Sequence, residues 1–296
     1  MSDFRPVQVR VPVLSVRHMD SYHAITVVAP SIAERFRSGQ FVAVAVGGEH
    51  SSMLLRRVFS IHDVKPDFGG TVEFVFSERG NGTEWLAERR ARDLLDVVGP
   101  LGRPFPLPRD PVNCALVGEE QGAAALFPLA NTLRRRGCRV DFALGGATAD
   151  RVLGTAQARR LGETVSVATG DGSAGTRGGV LDLVSRLIET SRTEVVYASA
   201  PVPVLRSVAA VAEKYDIPAQ VRVEEAMACG TGVCMGCVVP VVGEDGITRM
   251  ARACVDGPVF RAERLRFGDV GTIPFDALGA PGWKSAVEDT AVREAG

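Results

Sequence analysis

The rhythm of apolar and polar positions changes twice along this chain. Over the first third, apolar residues fall in short or alternating runs: Val7 to Val16, Ala24 to Val28, Phe41 to Val46, Val58 to Ile61 and Thr71 to Phe76. Turn signals such as Ser38-Gly39, Gly47-Gly48 and Gly69-Gly70 separate them. Many short strands at even spacing predict a closed antiparallel barrel. One helix, Thr83 to Arg90, enters through Gly80-Asn-Gly-Thr83, and a strand from Leu94 to Val98 follows. The segment Gly99-Pro-Leu-Gly-Arg-Pro-Phe105, with Pro106, Pro108 and Pro111 beyond it, reads as a domain boundary.

The middle third alternates strands with helices. Cys114 to Val117 is an apolar run, Gly122 to Arg136 a helix and Val140 to Leu144 a strand. Thr164 to Ala168, Leu181 to Ile188, Glu194 to Ala198, Val202 to Tyr215 and Gln220 to Val223 continue the series. The strands are almost continuously apolar, as in a sheet covered on both faces, which predicts a doubly wound parallel α/β domain. Past Phe260 no period lasts, and Arg261 to Gly296 reads as a surface-hugging or partly disordered tail with a possible docking role. The predicted organisation is a barrel over 1–108, a nucleotide-type α/β domain over 109–224, a small cysteine module over 225–260 and a tail over 261–296.

Composition adds limits. At 296 residues, 46% apolar and 23% charged, the chain is an ordinary globular one of two domains and a module. A net charge of −1 gives no electrostatic case for nucleic acid or an anionic membrane. No apolar run approaches the about 20 residues that span a bilayer. The opening Met-Ser-Asp-Phe-Arg-Pro carries no apolar signal region, so the expected setting is cytoplasmic. His18, His23, His50 and His62 are scattered and read as surface or turn residues rather than ligands.

The chemistry concentrates in Cys229-Gly-Thr-Gly-Val-Cys234-Met-Gly-Cys237, with a fourth thiol in Ala-Cys254-Val-Asp-Gly-Pro. C-x4-C-x2-C followed by a distant cysteine is the plant-type [2Fe–2S] spacing. Two irons need four thiolates, and a tight loop that supplies three of them must turn sharply. Gly230, Gly232 and Gly236 permit this, since glycine reaches positive φ cheaply. Amides aimed at the sulfurs then help set the potential. Structural zinc remains the alternative, although it usually takes two CxxC knuckles and only one pair here has that spacing. A disulfide framework fits less well, and Cys114 and Cys138 read as buried thiols beside strands.

A barrel, a nucleotide-type domain and a [2Fe–2S] loop, in that order, resemble the ferredoxin-reductase superfamily. The resemblance is strongest to the electron-transfer subunits of class B dihydroorotate dehydrogenases and covers roughly residues 5 to 260. Three stretches carry it: Leu54-Leu-Arg-Arg57-Val58-Phe59-Ser60-Ile61, similar to the family's flavin motif; Gly80-Asn-Gly82-Thr83 leading to Gly99-Pro-Leu-Gly102; and Glu224-Glu-Ala-Met-Ala-Cys229 through Cys237, closing with Cys254-Val-Asp-Gly-Pro-Val-Phe260. The resemblance implies an oxidoreductase subunit that binds FAD, a [2Fe–2S] cluster and NAD. It also implies a partner FMN-containing dehydrogenase, in a heterotetramer of pyrimidine biosynthesis.

The flavin residues make physical sense by themselves. Arg57 can fork onto a pyrophosphate and Ser60 can donate to it. Phe59 between them is either a stacking partner for the isoalloxazine or plain barrel core. Gly82 and Thr83 start a helix whose amides suit a phosphate, or Thr83 is an ordinary N-cap. The resemblance also places Val75, Phe76 and Ser77 along the flavin. No hydrolytic constellation is present, and hydride exchange with a flavin needs no general base.

The nicotinamide site departs from the family. A glycine-rich turn after the domain's first strand is replaced by Val117-Gly118-Glu119-Glu120-Gln121-Gly122, with two carboxylates where a phosphate would approach. A Gly-Ala-Arg segment becomes Gly145-Gly-Ala-Thr148, without the arginine, and Cys-Gly-Pro becomes Ser199-Ala200-Pro201. Thr169-Gly-Asp-Gly172 through Gly175-Thr-Arg-Gly-Gly179 keeps the family look, or is a glycine-rich loop before a helix. Two further readings follow: a relay for a divergent partner oxidoreductase that has lost or altered NAD use, and a non-catalytic scaffold that keeps its cofactors.

Overall fold

The computed structural model describes residues 6–48, 51–67 and 69–283. The barrel is built from β1 (Val7–Met19), β2 (Tyr22–Val28), β3 (Phe41–Val44), β4 (Arg57–Lys65), β5 (Thr71–Phe76) and β6 (Leu94–Leu101), in the order β1-β2-β5-β4-β3-β6. The 13-residue β1 makes closure possible. Its first half pairs antiparallel with β6 and its second half with β2, with an irregularity between Val13 and Ser15 where the partner changes. Such a bulge bends a strand and raises its twist, which a closing sheet requires. Alternation does the rest: Val11 and Val13 point inward and Gln8, Arg10 and Pro12 outward. Inside, Ile25, Val27, Phe59, Ile61, Phe74 and Phe76 form one buried cluster.

Two short helices decorate the barrel, α1 (Pro30–Ala33) and α2 (Asn81–Ala87). The second starts two residues earlier than its pattern suggested, because Gly80 rather than Thr83 is the N-cap. Strand β6 also runs into the Gly99-Pro-Leu segment that had read as boundary.

The second domain holds β7 (Asn113–Glu119), α3 (Leu126–Arg135), β8 (Arg139–Gly146), α4 (Thr155–Leu161), β9 (Thr164–Thr169) and β10 (Thr176–Arg177). It continues with α5 (Leu181–Ser191), β11 (Val195–Ser199), α6 (Val202–Lys214) and β12 (Ala219–Arg222). The helix expected from Gly122 begins instead as a 3-10 turn over Glu120–Ala125. The cause is crowding: a Cβ on Gly118 would meet Ala123 at 2.7 Å, and one on Gly122 would meet the Ser199 carbonyl at 2.6 Å. The chain therefore leaves β7 in the tighter form. The short helix α4, with a single buried residue, and the two-residue β10 left no pattern to read.

After β12 come the hairpin strands β13 (Val238–Val242) and β14 (Thr248–Arg252), then β15 (Val259–Arg261). The sheet order is β10-β9-β8-β7-β11-β12-β15, doubly wound as expected, but its last strand is antiparallel. The segment that follows the cysteines is thereby sewn to the second domain. Beyond it, Arg266 forks onto Asp269 at 2.7 Å and Asp276 at 2.8 Å, and the Leu278 amide donates to the Thr248 carbonyl at 2.8 Å. The tail thus packs on the β13–β14 hairpin as far as residue 283, and residues 284–296 lie outside the described part. His62 corrects the surface reading of the histidines: it is buried, edge-on to Phe127 at 5.1 Å, and burial holds it below the ordinary imidazole range. His23 is half-buried with Nε2 2.7 Å from a Glu78 carboxylate oxygen, and His50 lies outside the described residues.

Gly102 marks the seam between barrel and cysteine module. It sits at φ +77°, and an added Cβ would meet Pro258 Cδ at 2.6 Å and Phe41 Cε1 at 2.7 Å. Gly102→Ala is expected to cost about 2–4 kcal/mol from left-handed strain plus overpacking, read as earlier thermal unfolding. An unchanged melting temperature would show that this seam yields freely.

Candidate functional site

The cysteine loop occupies the stretch between β12 and β13. Cys237 directly precedes β13 and Cys254 follows β14, so the hairpin brings the fourth thiol back; the Ala253 amide donates to the Cys237 carbonyl at 2.8 Å. Both of these thiols are buried, Cys229 is half-buried and Cys234 exposed, and all are free. Positive φ occurs at Gly230 (+69°), Gly232 (+88°) and Met235 (+59°), whereas Gly236 does not use it. Gly236 serves differently: a Cβ there would lie 3.6 Å from Cys234 Sγ, and its amide points at that sulfur at 3.5 Å. The Thr231 amide points at Cys229 Sγ at 3.4 Å. Burial opposes ionisation of Cys229, yet amides of Cys234 and Thr231 win and bring its pKa to about 5. Burial and the neighbouring Cys237 push Cys254 to about 12. Among the described residues no three His, Cys, Asp or Glu side chains close on one ion-sized point. Four free thiols with amides directed at two of them are a donor set that fits an iron–sulfur cluster.

Beside this loop lies a crevice of about 370 Å3 whose lining includes Arg57, Ser60, Arg79, Gln121 and Arg222 together with the acids Glu224 and Glu225. Val58 lines it too, so Arg57, Val58 and Ser60 of the expected flavin set come together here. Phe59 does not. Strand alternation turns its ring into the barrel, stacked on Phe74 at 5.0 Å, so the core reading replaces the stacking one. Val75 and Phe76 are likewise fully buried, the first in the seam with the second domain and the second in the barrel. From that strand end, only Ser77 reaches the cleft. Its hydroxyl accepts from Arg79 Nε at 3.1 Å and donates to Gln121 Oε1 at 3.3 Å.

Gly82 forms a cradle. A Cβ on it would meet Arg57 Nε at 2.7 Å, so only glycine lets the guanidinium lie against the start of α2. Thr83 locks that turn: its hydroxyl accepts from the Arg79 amide at 2.8 Å and donates to the Gly80 carbonyl at 2.9 Å. Arg79, Gln121 and Arg222 escaped the sequence reading. Arg222 left a faint signal, a charge closing an apolar strand. It is buried, bonded to the Gly39 carbonyl at 3.2 Å, and burial lowers its pKa to about 10 despite nearby Glu224. Among the described residues, no carboxylate lies within ion-pair distance of Arg57, Arg79 or Arg222. Such a crevice fits a flavin dinucleotide's pyrophosphate.

Strand order reverses between β7 and β11, and ligands of open α/β sheets sit outside the strand ends at such a point. The ends carry Glu119, Glu120 and Gln121 on one side and Ser199 on the other, whose buried hydroxyl has no partner. Burial, then Glu120 and Glu224, raise the pKa of Glu119. Glu224 is exposed as a residue, but its carboxylate packs where a Cβ on Gly122 would stand. Glu120 is not the bare repulsive charge expected. Arg151 Nε and Nη2 donate to its two oxygens at 2.9 and 2.8 Å. An arginine is thus present three residues past Thr148, and Glu120 already holds it. The glycine-rich loop abuts this place, with Ser173 Oγ accepting from the Ala149 amide at 2.8 Å.

A closed six-stranded barrel against a doubly wound sheet, with a basic crevice between them and a four-thiol loop at its rim, defines a ferredoxin-reductase-type oxidoreductase component. Residues 224–266 match the family described as the iron–sulfur cluster binding domain of dihydroorotate dehydrogenase B. The chain is 36% identical over 233 residues to the dihydroorotate dehydrogenase B (NAD(+)) electron transfer subunit of Desulforamulus reducens, covering 78% of this chain and 87% of that one. To the subunit of the same name from Geobacillus kaustophilus it is 38% identical over 244 residues, covering 81% and 91%. A solved structure of an NADH-dependent reduced ferredoxin-NADP oxidoreductase, studied for flavin-based electron bifurcation, superposes with a TM-score of 0.77 at 28% identity, covering 88% and 91%. The chain belongs to the family of dihydroorotate dehydrogenase B electron transfer subunits.

Two substitutions test the site. Cys234→Ser is expected to abolish the stoichiometric iron and acid-labile sulfide of the purified protein, and unchanged iron content would remove this thiol from the ligand set. Arg57→Ala is expected to weaken FAD retention by about 1.5–3 kcal/mol, roughly 10- to 150-fold, measured as flavin lost on dilution.

Proposed function

We propose that this chain passes electrons between a partner FMN-containing dehydrogenase and NAD(H), as the names of its relatives indicate for them. In this reading, residues 1–108 bind FAD, 109–224 form the NAD-type domain, 225–260 carry the [2Fe–2S] cluster and 261–296 form the tail. FAD supplies exchange between two-electron and one-electron carriers, and the cluster supplies one-electron conduction. Cys229, Cys234, Cys237 and Cys254 would ligate the cluster, while Arg57, Ser60, Ser77, Gly82 and Thr83 would hold FAD with Arg79 and Arg222.

One observation carries the reading. The Cβ position of Gly230, next to the first thiol, lies 3.4 Å from Val58 Cγ2, and Val58 lines the flavin crevice. A single side chain therefore separates the two cofactor sites, and the apolar barrel strands behind it keep water away. Val233 (81% exposed), Met235 and Val255 expose apolar side chains on and beside the loop, and Leu54 (90%) and Leu55 do so just ahead of β4. A patch of this kind suits a partner subunit, consistent with a heterotetramer. Free thiols throughout fit a reducing, cytoplasmic setting, and among the described residues no helix is long and apolar enough to cross a membrane.

NADH added to the loaded protein is expected to bleach the flavin absorbance within seconds. In Cys234→Ser the bleaching should persist while reduction of a one-electron acceptor stops. Bleaching by a reduced partner but by neither NADH nor NADPH would favour a relay to a different oxidoreductase, the reading to which the Glu119-Glu120 turn lends weight. Flavin that no donor reduces would leave only a scaffold role.

A further inference from the structure

We propose that Glu120 is an internal stand-in for a nucleotide phosphate, and that it must give way before a pyridine dinucleotide can settle on this chain. The inference deepens the function proposed above and rests on it. The carboxylate of Glu120 takes the Arg151 fork at 2.9 and 2.8 Å, and the Ala147 amide points at the same oxygen at 3.4 Å. A guanidinium fork plus a backbone amide is the donor set that recognises phosphate oxygens. The pair spans the ends of β7 and β8, next to the β7–β11 reversal where an open sheet takes its ligand.

Position supports the assignment. Arg151 lines a cavity of about 330 Å3 with His18, Ser21, His23 and Arg79, and Arg79 also lines the flavin crevice. A dinucleotide reaching from the flavin would run along this path. The pair is open to solvent, with Arg151 42% and Glu120 23% exposed, so a ligand can compete for it.

Two features separate a stand-in from a plain structural clasp. Glu120 holds φ +45°, which glycine adopts freely and a glutamate only under strain. A residue whose sole task was to fill the turn would not need to be a glutamate. The backbone of Arg151, in contrast, is held independently of Glu120: Tyr22 Oη donates to its carbonyl at 2.7 Å, and the Ser21 amide donates to the Asp150 carbonyl at 3.3 Å. Removing the carboxylate therefore leaves Arg151 at this place with its fork vacant. Nucleotide affinity is then set by a competition in which the stand-in is always present at high local concentration.

The test is calorimetric titration of ADP-ribose into the FAD- and cluster-loaded protein, wild type against Glu120→Gly, Glu120→Gln and the double variant Glu120→Gly/Arg151→Ala. Glycine suits the left-handed backbone, so folding is preserved, and melting curves check it. Glu120→Gly should tighten ADP-ribose tenfold or more, Glu120→Gln less, and the double variant should bind no tighter than wild type. Unchanged or weaker binding in Glu120→Gly, or a gain that survives loss of Arg151, overturns the proposal. Flavin content and electron passage from photoreduced flavin to the cluster, followed in the same samples, report on the underlying function without any nucleotide. The failure of one can therefore be told from the failure of the other.

Discussion

Three guanidinium groups around one crevice, none of them in an ion pair although Glu224 and Glu225 line the same walls, are the constraint from which the rest of this structure follows. Arg57 comes from the barrel, Arg79 from the turn before α2 and Arg222 from the last parallel strand of the sheet. Burial lowers the pKa of Arg222, and nearby Glu224 only partly offsets it. An anion between the charges would stabilise such an arrangement further. A tightly bound dinucleotide would add the free energy of its own binding to that of folding. Because the charges come from both domains, the same anion fastens barrel to sheet.

The remaining architecture brings the thiols to the rim of that crevice. A long bulged β1 closes the barrel and thereby presents β4, whose outward residues Val58 and Ser60 face the second domain rather than solvent. Gly39 then accepts the Arg222 hydrogen bond across the seam. On the other side, β15 adds antiparallel to the sheet and anchors the return of the chain after Cys254. The β13–β14 hairpin brings Cys254 beside Cys237, and Gly230 is small enough to lie against Val58. Each contact is modest, but they share one outcome, since the loop cannot move away from the crevice without breaking sheet pairing, hairpin and barrel contact together.

Much of this was legible in the sequence, and the exceptions share a physical cause. The cysteine spacing was readable because three of the thiols come from one local turn. The barrel and sheet strands were readable because burial imposes a period on a strand. Arg57 and Ser60 were readable by motif, but the same motif put Phe59 on the wrong face, since a residue between two outward side chains of a strand must point inward. The expectation for Gly236 failed differently: it contributes an amide directed at the Cys234 sulfur rather than a left-handed turn, and Met235 takes the left-handed conformation instead. Arg79 and Gln121 had no local signature and Arg222 only a faint one, because each matters through what it faces after folding. The Glu120–Arg151 pair joins residues 31 apart, and no periodicity links them.

The chain thus meets anions in two opposite ways. In the crevice proposed for the flavin the arginines are left without ion-pair partners, which suits a cofactor that stays. At the neighbouring strand ends the donors are answered in cis by Glu120, which lowers the gain available to any incoming phosphate. A carrier that must arrive, react and leave needs affinity that is limited rather than maximal, because each increment of ground-state binding slows its departure. Glu120 supplies that limit from within the fold at the expense of a strained backbone. The two carboxylates that looked in the sequence like damage to a nucleotide site are, on this account, unequal. Glu119 is a half-buried acid with a raised pKa, while Glu120 is the element that sets how readily the site exchanges its ligand.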